Sequence, residues 1–223
     1  MNDSSPIVVV FDFDLTLTQW DTANRFFRWL LKREPWRFAL VLIAVPVLGP
    51  LFLSSVTRKW PIRFAVWVAT LGKSVHDLAF LAQEHAEAIF AGAEPVFVEA
   101  GLKQLHSHLA QGHRVVIATG CLEQLAQRLL SQAGYGHVPL VASTVRPFLG
   151  GLVRHHHCFG ANKINMLTER GFAPPWAVAY TDHRSDLPVL QHSRLWFLIS
   201  PKPECVSYIE RVLATKANVL AWR

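Results

Sequence analysis

The 223-residue chain carries a formal charge of +6, although only 17% of its residues are charged and 51% are apolar, with a mean hydropathy of +0.23. A chain of this length holds one domain with an insertion, or two small domains. Its cations sit among apolar rather than polar residues, which excludes the usual nucleic-acid binder and points to an anionic membrane surface instead.

Residues 8–11 form a continuous apolar run, read as a buried strand of a parallel sheet. The run ends in Asp12-Phe13-Asp14-Leu15-Thr16, and ligands of open α/β sheets bind just outside the carboxyl ends of strands. Two carboxylates this close are costly to bury unless they share a cation or a proton. The plain alternative is a capped loop, with one aspartate closing an Asx-turn and the other facing water.

Residues 21–33 read as a helix, with Phe26, Phe27, Leu30 and Leu31 spaced for one face. From 38 to 57 no residue is charged, and a second apolar piece covers 64–72. Length alone makes 38–57 a candidate bilayer span, which needs about 20 apolar residues. Pro46, Gly49 and Pro50 fall in its middle, however, and leave arms of about eight residues, roughly 12 Å each. Arg33 and Arg37 precede it, and Arg58, Lys59 and Arg63 follow, so both ends belong on one side of a membrane. The expectation is a helical hairpin dipping into one leaflet; the alternative is a soluble cap with a buried helical core. Trp20, Trp29, Trp36, Trp60 and Trp67, five of the eight tryptophans, cluster here as they do at headgroup level.

The remainder alternates as an α/β domain does. Helices are expected over 95–111, 122–133, 162–170, 186–191 and 204–213, and strands over 113–119, 138–145, 176–181 and 195–199. A turn at 148–153 leads into another short strand. Cys121, Cys158 and Cys205 make no CxxC pair and are odd in number, so neither a disulfide framework nor a zinc site is expected, and a reducing cytosol fits. No basic flank precedes the first apolar run, which gives no signal-peptide pattern. His155-His156-His157 is not read as a metal site, because neighbours on a strand point to opposite faces.

Three strand ends and one helix start carry polar groups. Asp12-x-Asp14-x-Thr16 is followed by Thr119-Gly120, then Lys163, then Asp182-x-x-x-Asp186. This order resembles the haloacid dehalogenase-like (HAD) superfamily of phosphatases, from the first strand almost to the C-terminus. The resemblance implies a doubly wound parallel α/β sheet with a helical cap inserted after the first strand, here a core of 1–18 and 95–223 and a cap of 19–94. It implies an aspartyl-phosphate mechanism with Asp12 as nucleophile and Asp14 as general acid. Thr119 would hydrogen-bond the phosphoryl group and Lys163 would neutralise it. Mg²⁺ would rest on Asp12, the backbone carbonyl of Asp14 and Asp182, with Asp186 supporting that shell. Up to four aspartates beside an anionic phosphate make a cation electrostatically necessary in any case.

Within the superfamily the chain is similar to the phosphoserine-phosphatase-like branch. The apolar cap, Lys59-Trp60-Pro61, Trp67, Gly72 and Cys158-Phe159-Gly160 give a looser similarity to the phosphatidylglycerophosphatase C family of bacterial inner-membrane enzymes. That similarity implies an anionic phospholipid substrate, a membrane surface as partner and the cytoplasmic face of the inner membrane. The alternative is a soluble cytoplasmic phosphatase for a small metabolite. Leu15, where glycine is frequent, Cys121, where serine often follows the motif glycine, and His183 depart from the pattern; none of them removes a catalytic group.

Overall fold

The computed structural model describes residues 7–54, 56–57 and 59–222; Ser55 and Arg58 of the expected hairpin and its basic flank lie outside them. The first strand, β1 (Val8–Phe11), is central. It pairs in parallel with β2 (Arg114–Leu122) on one side and β6 (Trp176–Thr181) on the other. With β3 (Leu140–Ser143), β7 (Ser193–Ile199) and β8 (Asn218–Leu220), the main sheet has the order β3-β2-β1-β6-β7-β8. All its pairings are parallel. Order reverses at β1, so the crevice beside its carboxyl end is the place where such sheets bind ligands.

Alternation along the strands divides the core in two, as expected of a sheet covered on both faces. Val9, Phe11, Val115 and Ile117 face one layer, formed with α5 (Glu99–Ala110), α6 (Glu123–Gln132) and the inserted helices. Val10, Val116 and Ala118 face the other, with Leu167 of α7 (Ala161–Glu169), Leu190 of α8 (Leu187–Gln191) and Ile209 of α9 (Pro203–Leu213).

Between β1 and α5 the described chain forms α1 (Thr22–Arg33), α2 (Pro35–Leu48), a 3₁₀ segment (Gly49–Leu53), α3 (Lys59–Ala69) and α4 (Val75–Phe90). The two ends of this insertion are tied together: Gln19 N–H donates to Val96 at 3.0 Å and Val98 N–H to Leu17 at 2.8 Å. That ladder occupies 96–98, so α5 begins at Glu99 and not at the expected 95.

The apolar stretch differs from expectation in where it turns. Helix α2 runs through Pro46 to Leu48, and the chain reverses only after Leu53, so the return arm is α3. Pro46 removes one N–H from the ladder without stopping the helix. At the base Arg37, 3% exposed, donates to the backbone oxygens of Ala69 and Leu71, fastening α2 to the C-terminal end of α3. Beyond that anchor the hairpin is bare: Phe38, Leu42, Ile43, Val45, Val47, Phe52 and Leu53 are all exposed.

A small antiparallel ribbon, β4 (Val145–Phe148) with β5 (Gly151–Arg154), grips α3 from the core side. The Trp67 indole N–H is shared between the carbonyls of Phe148 and Leu149, and Gly72 N–H donates to Gly150.

Candidate active site

At the end of β1, Asp12 N–H still donates to Tyr180 at 2.8 Å, keeping the sheet register one residue past the strand. The chain then coils tightly, and the Phe13 carbonyl accepts from the N–H groups of Leu17 and Thr18 at 2.9 and 3.0 Å. Leu15 takes the left-handed conformation, φ 58°, which explains why glycine is favoured there and stores about 1 kcal/mol of strain. The turn sends the side chains of Asp12 and Asp14 to different partners.

Lys163, on the first turn of α7 and 3% exposed, donates to Asp12 Oδ1 at 3.0 Å and to Asp186 Oδ2 at 2.7 Å. Thr181 Oγ1 donates to the same Asp186 oxygen at 2.8 Å. Three sequence-distant segments thus converge on one ammonium. Side-chain exposure is 13% for Asp12 but 4% for Asp186, so Asp12 is the carboxylate a ligand reaches. Burial pushes the Asp12 carboxyl up; Lys163 opposes this, while Asp186 and Asp182 reinforce it. For Lys163, burial favours the neutral amine, but Asp12 and Asp186 outweigh it and hold the ammonium charged.

Asp14 turns toward the insertion. Its Oδ1 accepts from Thr22 N–H at 2.8 Å and from Thr22 Oγ1 at 2.6 Å. Thr119 Oγ1 lies 3.5 Å from the other oxygen and itself accepts from Cys121 N–H at 3.0 Å. Burial pushes the Asp14 carboxyl up to about 7, against the two Thr22 hydrogen bonds and with help from Asp21 and Asp12. A group poised there both gives and takes protons near neutrality.

Asp182 follows β6 directly, within electrostatic reach of Asp12, and its carbonyl receives the Cys205 thiol at 3.8 Å. His183 accepts from Ser185 N–H and so closes the loop between Asp182 and Asp186. Of the three consecutive histidines, His155 and His156 face solvent, while His157 turns in to Ser143 at 3.1 Å.

Among the described residues no three His, Cys, Asp or Glu side chains form a ready metal cage. Two observations nevertheless fit a hard cation here. Asp186 Oδ1 is buried with no hydrogen-bond partner, and Asp12 sits among carboxylates that a single ammonium must share. An all-oxygen donor set of this kind suits Mg²⁺. The Asp14 side chain is committed to Thr22, which leaves its backbone carbonyl as the donor that residue can offer.

Two contributors are absent from the motif reading. Thr22 fixes the Asp14 rotamer, and its signal was the Asp21-Thr22 pair that opens α1. Thr181 fixes Asp186, and its signal was the hydroxyl at the end of β6.

A family model described as haloacid dehalogenase-like hydrolase matches residues 9–191. A solved protein of unknown function from Bordetella pertussis Tohama I superposes with a TM-score of 0.69 at 17% identity, covering 97% of this chain and 98% of that one. A phosphoserine phosphohydrolase-like protein from Francisella tularensis gives 0.59 at 13% identity, covering 96% and 94%. A phospho-aspartyl intermediate analogue of phosphoserine phosphatase gives 0.56 at 13% identity, covering 98% and 94%. At these identities the solved neighbours establish the fold.

Proposed function

The chain belongs to the haloacid dehalogenase-like hydrolases, and we propose that it hydrolyses a phosphomonoester through an aspartyl-phosphate, on an anionic lipid phosphate such as phosphatidylglycerophosphate. The observation that carries the chemistry is Lys163 held between Asp12 and Asp186. An Asp12 oxygen attacks phosphorus as the bond from phosphorus to the leaving alkoxide breaks, and Asp14 gives that alkoxide its proton. Asp14 then takes a proton from water, whose oxygen attacks phosphorus and releases orthophosphate, restoring the Asp12 carboxylate. Thr119 and Lys163 orient and neutralise the phosphoryl oxygens. Asp12, Asp182 and the Asp14 carbonyl would hold Mg²⁺, with Asp186 behind them. When bound, Mg²⁺ supplies charge neutralisation for the phosphate among the carboxylates.

The lipid assignment is supported by the Pro35–Leu53 stretch, of which only 6% is buried. Although α3 packs beside it, Phe38, Leu42, Ile43, Val45 and Val47 stay exposed, and contiguous apolar surface of this kind marks a membrane or partner contact. Asp12 precedes the stretch and Lys163 follows it in one site, so the chain enters and leaves the bilayer on the same face, the cytoplasmic one. Lys59 and Arg63 on the return arm reach back to headgroups; Trp60 is exposed under Arg63, and Trp36 is exposed at the hairpin base beside Arg37.

The solved phosphoserine phosphatases support a second reading, a soluble enzyme for a small phosphomonoester. Flotation with phosphatidylglycerol vesicles and turnover of phosphatidylglycerophosphate against phosphoserine, with and without Mg²⁺, separate the two. The lipid reading expects flotation and faster lipid turnover. Failure to float, with faster phosphoserine turnover, rejects it, and Mg²⁺-independent turnover rejects the metal assignment.

A further inference from the structure

A cleft of about 560 Å³ opens between α1 and α4, away from the catalytic residues: none of Asp12, Thr119 and Lys163 lines it. Its walls carry Arg25, Arg28 and Lys32, one stripe of α1 at helical spacing, and Trp20, Trp29 and His85 line it with them. Among the residues lining it Asp21 is the single carboxylate, and its Oδ1 already accepts from Asn24 N–H. Arg25 pairs with Glu94 at 3.3 Å and stacks over Trp20 at 4.2 Å. Arg28 and Lys32 form no ion pair among the described residues.

Two further groups lining the cleft have unmet hydrogen-bonding capacity. Trp20 Nε1 and His85 Nδ1 are buried without a partner, and His85 is 3% exposed. An indole N–H can only donate, and leaving such a donor unpaired costs about 1–3 kcal/mol. Two cations without an ion pair and a buried indole N–H without an acceptor, all on residues lining one cleft, call for a ligand rich in acceptor oxygens and negative charge. Phosphate meets that description, and the aromatic walls accept the carbon skeleton attached to it.

We propose that the cleft between α1 and α4 is a second anion site, which binds the phosphate of a phosphate-bearing ligand separate from the phosphate being hydrolysed. Helix α1 runs from the catalytic turn, where Thr22 holds Asp14, to the foot of the apolar hairpin at Arg33. Lys32 therefore lies at the hairpin end of the cleft and Arg25 at the catalytic end. The phosphate can come from a lipid headgroup at the membrane surface or from a water-soluble phosphate.

Equilibrium dialysis with inorganic phosphate, and flotation with phosphatidylglycerol against phosphatidylcholine vesicles, read the two sources separately. The Arg28→Gln/Lys32→Gln double variant is compared with the unaltered chain in both, and Trp20→Phe, which keeps every charge, is the second variant. If the ligand is soluble, the double variant binds one phosphate fewer per chain or binds roughly tenfold more weakly. If it is a headgroup, only the preference for phosphatidylglycerol falls by that factor. Trp20→Phe weakens the same arm by roughly fivefold. Equal binding by the double variant in both arms overturns the proposal, and so does loss with the charges but not with Trp20, the mark of diffuse surface attraction. Hydrolysis of a soluble aryl phosphate stays unchanged in these variants, so the result does not depend on which substrate the catalytic pocket takes.

Discussion

Thr22 places both its backbone N–H and its hydroxyl on one oxygen of Asp14, at 2.8 and 2.6 Å. The first turn of the insertion thereby sets the rotamer of the proposed proton donor. Thr22→Val keeps the N–H bond and loses the hydroxyl, a hydrogen bond to a charged group worth about 1.5–3 kcal/mol. The expected result is a kcat lower by roughly 10- to 100-fold on a small aryl phosphate with little change in KM, recovered by Thr22→Ser. Steady-state kinetics on the three proteins check it, and an unaltered kcat in Thr22→Val detaches this contact from the chemistry.

Besides its proposed catalytic role, Lys163 holds the fold together as the cation between Asp12 and the buried Asp186. Lys163→Met leaves Asp12 and Asp186 facing each other and is expected to destabilise the protein by about 3–5 kcal/mol. Asp12→Asn is expected to fold normally and to lack turnover. Combined, the two changes cost less than their sum, since the neutral amide that Asp12→Asn introduces no longer repels Asp186. Urea unfolding of the two single variants and the double variant gives the coupling, and simple additivity contradicts the shared-cation picture.

Much of this site was legible as sequence because its parts sit where strands stop. Val8–Phe11 and Trp176–Thr181 are apolar runs that end in or beside a residue of the cluster, and the apolar run 115–118 within β2 leads directly into Thr119. Less legible were features that depend on contacts across the chain. Strand β2 continues past Thr119 to Leu122 through an irregularity in its pairing with β3, which no local pattern announces. Strand β8 is three residues long and is defined only by its partner β7. Proline marked the wrong place for the hairpin turn: Pro46 is tolerated within α2, and the turn falls beyond the 3₁₀ segment that Gly49 and Pro50 open.

Gly151 is where the β4–β5 ribbon meets α3 most closely. A Cβ there would lie 2.8 Å from Trp67 Cδ1 and 2.9 Å from the Trp67 carbonyl oxygen, so the backbone itself would have to move. Gly151→Val is expected to cost about 1–3 kcal/mol. It also frees the amides of α3, because the Trp67 N–H loses its shared bond to Phe148 and Leu149. Hydrogen exchange on α3 tests this, and unchanged protection shows that the ribbon does not hold the helix.

Ile43 and Val47 are 74% and 75% exposed, so the folded chain gains little from them. Ile43→Asp/Val47→Asp is expected to shift unfolding stability by no more than about 0.5 kcal/mol per site. Within a bilayer each aspartate costs about 2.5–3.5 kcal/mol, enough to abolish flotation. Turnover of lipid phosphate presented in vesicles then falls while aryl phosphate turnover persists. A large loss of stability in water would show instead that these side chains are packed, and the membrane reading would fail with it.

His85 gives a pH dependence of definite sign. It is 3% exposed, packs against the rings of Phe26 and Trp29, and lies on α4 within electrostatic reach of Arg25 of α1. Burial, helped by the Arg25 charge, lowers its pKa from 6.5 to about 4. The folded state thus binds a proton less readily than the unfolded chain does. Stability from the neutral ring is fully present above about pH 6.5 and is lost as pH falls from there toward 4. The loss is on the order of 2 kcal/mol. His85→Leu keeps an apolar side chain against Phe26 and Trp29 and cannot titrate. Its stability, measured by urea at pH 7.5 and at pH 5, should fall less between the two than that of the parent, by about 1–2 kcal/mol. Parallel loss in both proteins would place the acid-labile proton on another residue.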